Sequence, residues 1–313
     1  MPSGIRLCLN DRRPSGRRAV VVVLVAAAVA VSGCSPQGGK RKPGGRHRSS
    51  QTTQAQPDPA GTSRPTAKPA PKPKNAAQFV AMARRAMGAE KGWTFALRGS
   101  ESAVMRGQAP STATYDATVH RTTAPEALQQ TGTITTSKGE RKSEAVYVVG
   151  GTGYVKEGAE GWKKGPLSDP GIANDIEDPV AELDAFAAYA KSAKVSRTGA
   201  AGDGVRLQVT ASGWQLSAAR DRPALKRALR EVEPTLAQLR EAGVTATDRQ
   251  ITLKSFTERW DLDAAHGYRL TSHRYVLTLL VPFQGGDITV SQEVRADNRG
   301  VFTGSVALPP GVK

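Results

Sequence analysis

The sequence predicts an α+β domain built on one curved antiparallel sheet. Three observations carry this expectation. Segment after segment alternates apolar and polar residues with a period of two, the mark of a sheet with one dry and one wet face. Three other segments switch to helical spacing. Glycine pairs punctuate the strand pattern where tight turns belong.

The elements follow in order. Asn75 is an N-cap for a helix running to about Ala89, with Phe79, Met82, Ala83 and Ala86 on one face. Strands are expected at Trp93–Leu97, Ala113–Thr122, Ala127–Thr136, Glu140–Val149, Thr152–Lys156, Val205–Ala211, Gln250–Leu262, Tyr268–Val281 and Gly286–Ala296. Tyr115, Ala117 and Val119 alternate with Thr114, Asp116, Thr118 and His120. Gly150-Gly151, Asp203-Gly204 and Gly285-Gly286 mark turns. In Gln250–Leu262 the apolar phase slips from Ile251 and Leu253 to Phe256, Trp260 and Leu262. A bulge near Ser255 reconciles the two phases and curves the sheet. Two helices interrupt the strands. Asp178–Ala193 gathers Val180, Leu183, Phe186 and Ala190. Asp221–Ala242 carries a stripe of Leu225, Leu229, Val232, Leu236 and Leu239, with Pro234 expected to kink or split it and Gly243 to end it.

Charge divides the chain into three parts. The 313 residues carry +16, which by itself suggests nucleic acid. Residues 1–33 hold +4, residues 35–75 hold +8, and the remaining 238 residues hold only +4. Aromatics are 5%, too few for a base-stacking platform, so no nucleic-acid partner is expected. The only cysteines, Cys8 and Cys34, lie in the first quarter, so the body has no disulfide and no cysteine zinc site.

Arg12 to Arg18 precede an uncharged apolar run, Ala19 to Val31, and then Ser32 and Gly33. The run is shorter than the roughly 20 residues of a bilayer-spanning helix, so it is expected to be a signal peptide over residues 1–33. Residues 34–75 are rich in Pro, Gly, Lys and Arg and almost free of apolar side chains, so they form a tether without a core. It spans roughly 35 Å as a coil. Its basic residues suit anionic envelope polymers or lipid headgroups. The folded domain is residues 76–313.

No catalytic motif appears. His120, His266 and His273 show no metal-ligand spacing, and Asp261 and Asp263 beside His266 read as turn residues. Gly150-Gly151-Thr152-Gly153 joins two strands instead of opening a helix, so it is no phosphate loop. Neither an enzyme, a cofactor nor a metal is expected.

Val31-Ser32-Gly33-Cys34 resembles a bacterial lipobox. The resemblance implies cleavage before Cys34, a diacylglyceryl thioether on its sulfur and acylation of the new amino group. It places the protein on the extracytoplasmic face of the cell membrane. In the body, Val148-Val149-Gly150-Gly151-Thr152-Gly153-Tyr154-Val155 leading to Trp162, and Trp260-Asp261-Leu262-Asp263 with Gly267-Tyr268-Arg269-Leu270, are similar to hairpins of actinobacterial LppX/LprG lipoproteins. These have a LolA/LolB-like fold. That likeness implies an antiparallel half-barrel whose concave side is covered by helices over a hydrophobic cavity for a lipid or acylated ligand. The inward residues expected to line it are Tyr115, Val119, Ile134, Val148, Phe256, Trp260, Tyr275, Leu277, Leu279, Ile288 and Val290. The alternative is an envelope sensor or interaction protein with the same fold and no ligand, using 221–242 as its contact surface.

Overall fold

A computed structural model describes residues 72–199 and 203–312. The signal segment, Cys34 and nearly all of the tether lie outside the described residues. The elements are α1 (Ala76–Gly88), β1 (Gly92–Met105), β2 (Ser111–Thr123), β3 (Glu126–Thr136), β4 (Arg141–Val149), β5 (Thr152–Glu157), β6 (Lys163–Pro166), α2 (Pro170–Ala173), α3 (Pro179–Phe186), β7 (Lys194–Thr198), β8 (Gly204–Ala211), β9 (Trp214–Gln215), α4 (Leu216–Ala219), α5 (Lys226–Glu241), β10 (Thr252–Asp263), β11 (Arg269–Phe283) and β12 (Gly286–Val301).

All twelve strands join one antiparallel sheet in the order β6-β5-β4-β3-β2-β1-β12-β11-β10-β8-β7, with β9 also beside β10. The sheet is therefore two meanders. Their first and last strands, β1 and β12, pair along almost their whole length, from Trp93↔Val301 to Met105↔Ile288. The sheet is open: β6 and β7 are its edges. Both edges are short, and Lys163, Lys164, Lys194 and Arg197 supply charge that discourages further pairing. Their scarcity of apolar residues also explains why the period-two signal passes over them.

The long strands confirm the alternation. In β11, Leu270, His273, Tyr275, Leu277, Leu279 and Val281 are buried. A register shift between Leu253 and Ser255 resolves the phase slip, leaving Lys254 and Ser255 exposed and both Leu253 and Phe256 buried. Gly150 and Gly151 take φ of 58° and 77°, the left-handed pair that a two-residue hairpin demands.

Helices cover the dry face. The Asn75 side chain accepts from the Gln78 amide and starts α1. That helix buries Phe79, Val80, Ala83 and Met87, a face turned from the one expected, so Met82 and Ala86 are only half-buried. Its end is fixed by Trp93, whose Nε1 donates to the Met87 carbonyl at 2.7 Å. The segment expected as one helix from Asp178 to Ala193 is shorter. Asp178 caps α3 through Val180 and Ala181, and the helix ends at Phe186, ahead of a 3-10 turn at Ala190–Ser192. The α5 helix continues through Pro234, so the expected split does not occur. It then closes with a Schellman motif: Val244 N–H donates to Leu239 and Gly243 N–H to Arg240, with Gly243 at φ 91°. Leu229, Val232, Leu236 and Leu239 carry α5 onto the core. Among the described residues no helix is long and apolar enough to cross a membrane.

Candidate functional site

The dry face is filled unevenly. Over β8, β10 and β11 it meets α1, α3 and α5 in close packing. Phe186, Trp260 and His273 form a stack there, with ring centroids 5.1 and 3.7 Å apart. Over the Leu97–Glu101 part of β1 and the Ala113–Ala117 part of β2 several dry-face residues are small: Gly99 follows Leu97, and Ala113 and Ala117 flank Tyr115. Small side chains under a helix leave space. A cavity of about 70 Å³ lies there between Leu97, Gly99, Glu101, Ala113, Tyr115, Ile134 and Val294 on the sheet and Arg230, Glu231 and Pro234 on α5. It is mostly apolar-walled and holds a few waters' worth of space. A wider groove of about 420 Å³ adjoins it, bounded by Pro170 and Asn174 on one side and Lys226, Arg230, Glu233 and Pro234 of α5 on the other. Asn174, Arg230 and Pro234 line both spaces.

Gly132 positions the cavity's largest wall. A Cβ there would lie 2.7 Å from both Ala117 Cβ and Tyr115 Cε2, so only glycine lets the Tyr115 ring lie across β3. The Tyr115 hydroxyl donates to Glu144 Oε1 at 2.6 Å and accepts from Gln130 Nε2 at 2.9 Å. The two N–H groups of Gln130 are shared among Tyr115, Glu144 and the Asp175 carbonyl, and its Oε1 accepts from the Glu177 amide at 3.0 Å. This amide side chain therefore ties the segment between α2 and α3 to the sheet.

A buried polar network runs beside the cavity. Arg227 of α5 is held by Glu177, Glu182 and Glu231, the last at 2.8 Å. Burial alone lowers its pKa; Glu177 and Glu231 reverse that and raise it, so the guanidinium stays charged. The Tyr275 hydroxyl donates to Glu231, and burial holds its pKa well above the usual value, helped by that carboxylate. His273 sits between Glu182, 3.0 Å from Nδ1, and Glu258, 3.1 Å from Nε2. Burial pushes its pKa down against the pull of Glu258. Tyr189 donates to Glu258 at 2.9 Å and links the turn after α3 to the same group. Glu101, at the cavity wall, accepts from Thr235 of α5. Burial raises its pKa to about 7, with Glu231 adding to the rise and the Thr235 bond opposing it.

The structure disperses the residues expected to line a ligand cavity. Tyr115 and Ile134 line the cavity found here. Val148 is half-buried against the core. Val119, Phe256, Trp260, Tyr275, Leu277, Leu279, Ile288 and Val290 are sealed in the packed core, because α1, α3 and α5 fill the face they point to. Cys34 lies outside the described residues. His120 stacks on Phe302 and contacts Thr94, and His266 pairs with Asp263, which caps the turn at Ala264–His266. Asp261 pairs with Arg206 at 2.7 Å.

The polar cluster was missed by sequence reasoning, yet it left a signal. Glu101, Gln130, Glu258 and Gln292 all occupy the apolar phase of their strands. A second group, Glu144, Glu157 and Asp175, brings three carboxylates within 4.8 Å of one another. Hard cations prefer such oxygen ligands. Here, however, Tyr115 and Gln130 already engage Glu144, and Lys142 engages Glu157.

No protein-family model matches the chain, and no curated protein matches it. Several solved structures align with it distantly. A β-barrel-like protein of a domain of unknown function from Brucella abortus is 8% identical, covering 67% of this chain and 99% of its own, with a TM-score of 0.24. A LolA-superfamily protein from Nitrosomonas europaea is 10% identical, covering 73% and 96%, with a TM-score of 0.24. A DUF1329-family protein from Desulfovibrio piger is 8% identical, covering 71% and 93%, again at 0.24. The resemblance to the LolA superfamily is distant and does not reach the LppX/LprG lipoproteins in particular.

Proposed function

We propose that this is an LppX/LprG-type lipoprotein of the cell envelope, held to the membrane by acyl chains on Cys34. In this reading its half-barrel domain binds a lipid or another molecule with an apolar part, by burial and without catalysis or a cofactor. The basic tether spans the distance to the membrane and contacts anionic polymers there. The observation that carries the reading is the apolar-walled cavity beneath α5, adjoining a groove of about 420 Å³, a volume in the range of small-molecule pockets. Each buried CH₂ contributes about 0.8 kcal/mol to holding an apolar segment.

Native mass spectrometry of the protein purified from its own host tests this. The expected result is a solvent-extractable ligand bound to the domain. A bare protein that also takes up no added lipid would overturn it. For the anchor, Cys34→Ala is expected to remove the diacylglyceryl mass and release the protein from the membrane fraction; retention of both refutes lipidation at that residue.

The packed core favours a second reading, an envelope sensor or interaction protein. Eight of the residues expected at a ligand surface are core. There the exposed side of α5 is the contact surface. Substitutions on that side then abolish capture of a defined partner and leave lipid uptake unchanged.

A further inference from the structure

We infer that the groove between α2 and α5 selects an amphiphile with an anionic headgroup, whose apolar end enters the cavity; this rests on the ligand-binding reading above. The groove's charges are unequally committed. Glu233 accepts from Arg220 at 2.7 Å and from Arg240 at 3.0 Å, and Arg220 also bonds Asp248 at 2.6 Å. Lys226 and Arg230 are exposed, line the groove and form no ion pair or hydrogen bond among the described residues. They stand four residues apart on α5, so they share a face and repel one another. An anion between them removes that repulsion.

The deeper space sets the ligand's direction. Arg230 lines both the groove and the cavity. Beyond it the exposed wall is mostly apolar, from Leu97, Ala113, Tyr115, Ile134 and Val294, and its charged groups are the carboxyls of Glu101, Glu177, Glu231 and Glu293 against the single guanidinium of Arg98. An anion is repelled from those carboxyls and stays at Lys226 and Arg230, while an apolar tail finds apolar walls. The matching chemistry is a lipid bearing a phosphate or carboxylate head.

The test uses the mature chain carrying Cys34→Ser and two monomeric lysolipids with the same short acyl chain. One is lysophosphatidylglycerol and the other lysophosphatidylcholine; binding is read by titration calorimetry. The anionic lipid is expected to bind about fivefold tighter or more at low salt, with the preference shrinking in high salt as the charges are screened. In Lys226→Gln/Arg230→Gln the two lipids are expected to bind equally, with circular dichroism unchanged because both side chains are exposed. Ile134→Trp, which fills the cavity, is expected to weaken both lipids. Equal binding of both lipids to the parent chain overturns the headgroup inference and leaves the ligand-binding reading standing. Binding of neither overturns that reading itself. Inorganic phosphate binding as tightly as the anionic lysolipid makes the groove a free-anion site and also refutes the inference.

Discussion

Replacing Gly132 with alanine probes how the cavity wall is built. The added methyl lies 2.7 Å from Tyr115 Cε2, 2.8 Å from its hydroxyl and 2.7 Å from Ala117 Cβ. Ala117 Cβ is fixed to the β2 backbone, so β2 and β3 must part slightly there and the tyrosine ring must move. Overpacking of this kind costs about 1–3 kcal/mol. Moving the ring also breaks its hydrogen bond to the Glu144 carboxylate, a contact to a charged group worth about 1.5–3 kcal/mol. The two effects overlap, since a ring that leaves relieves its own clash though not the one with Ala117 Cβ, and the expected loss is about 2–4 kcal/mol. For a domain of this size that lowers Tm by roughly 5–15 °C. Urea unfolding followed by tryptophan fluorescence gives the free energy, and a differential scan gives Tm. Gly88→Ala is the control: a methyl added there, at the end of α1, meets no atom within 4 Å, and the change in stability is expected to be less than about 1 kcal/mol. A Gly132→Ala protein as stable as the parent would refute the claim that the Tyr115 ring and Ala117 Cβ require glycine there.

Other substitutions test the buried charges. Glu101 has a folded pKa raised from 4.5 to about 7, so the folded state holds its proton more tightly than the unfolded state. Its burial therefore weakens the fold progressively as pH rises from about 4.5 through 7, by on the order of 3 kcal/mol above that range. Glu101→Gln keeps an acceptor for Thr235 and is expected to flatten this dependence; parallel stability–pH curves for parent and variant would contradict the assignment. Arg227→Met leaves Glu177, Glu182 and Glu231 without their shared cation, and a loss of about 3–5 kcal/mol is expected in urea titration. A neutral outcome there would show that the carboxyls take up protons instead.

Much of the sheet was legible because a strand's two faces differ in residue type every second position. The slip from Leu253 to Phe256 even located a bulge. The Asn75 cap and the Gly243 stop were equally readable, since each acts within a few residues. The rotation of α1 was not: its buried face depends on contacts with β11 and α3, far along the chain. Pro234 was read as a kink or a split; the split does not occur, and Val232 and Leu236 on either side of it are both buried in the core. The cavity was the least legible part. A residue on the dry face of a strand is core when a helix side chain fills the space above it, as at Phe256, and cavity wall when none does, as at Tyr115.

By itself, the sequence determined the period-two strands, their turns, the local helix caps and the concentration of positive charge ahead of residue 76. These depend on neighbours within a turn or a hairpin. Only the tertiary structure decided that β1 pairs with β12, that Arg227 gathers Glu177, Glu182 and Glu231, and that small residues on β1 and β2 leave space beneath α5. Each of these depends on volumes and charges brought together from distant segments, and no local pattern records how well two such surfaces fill one another.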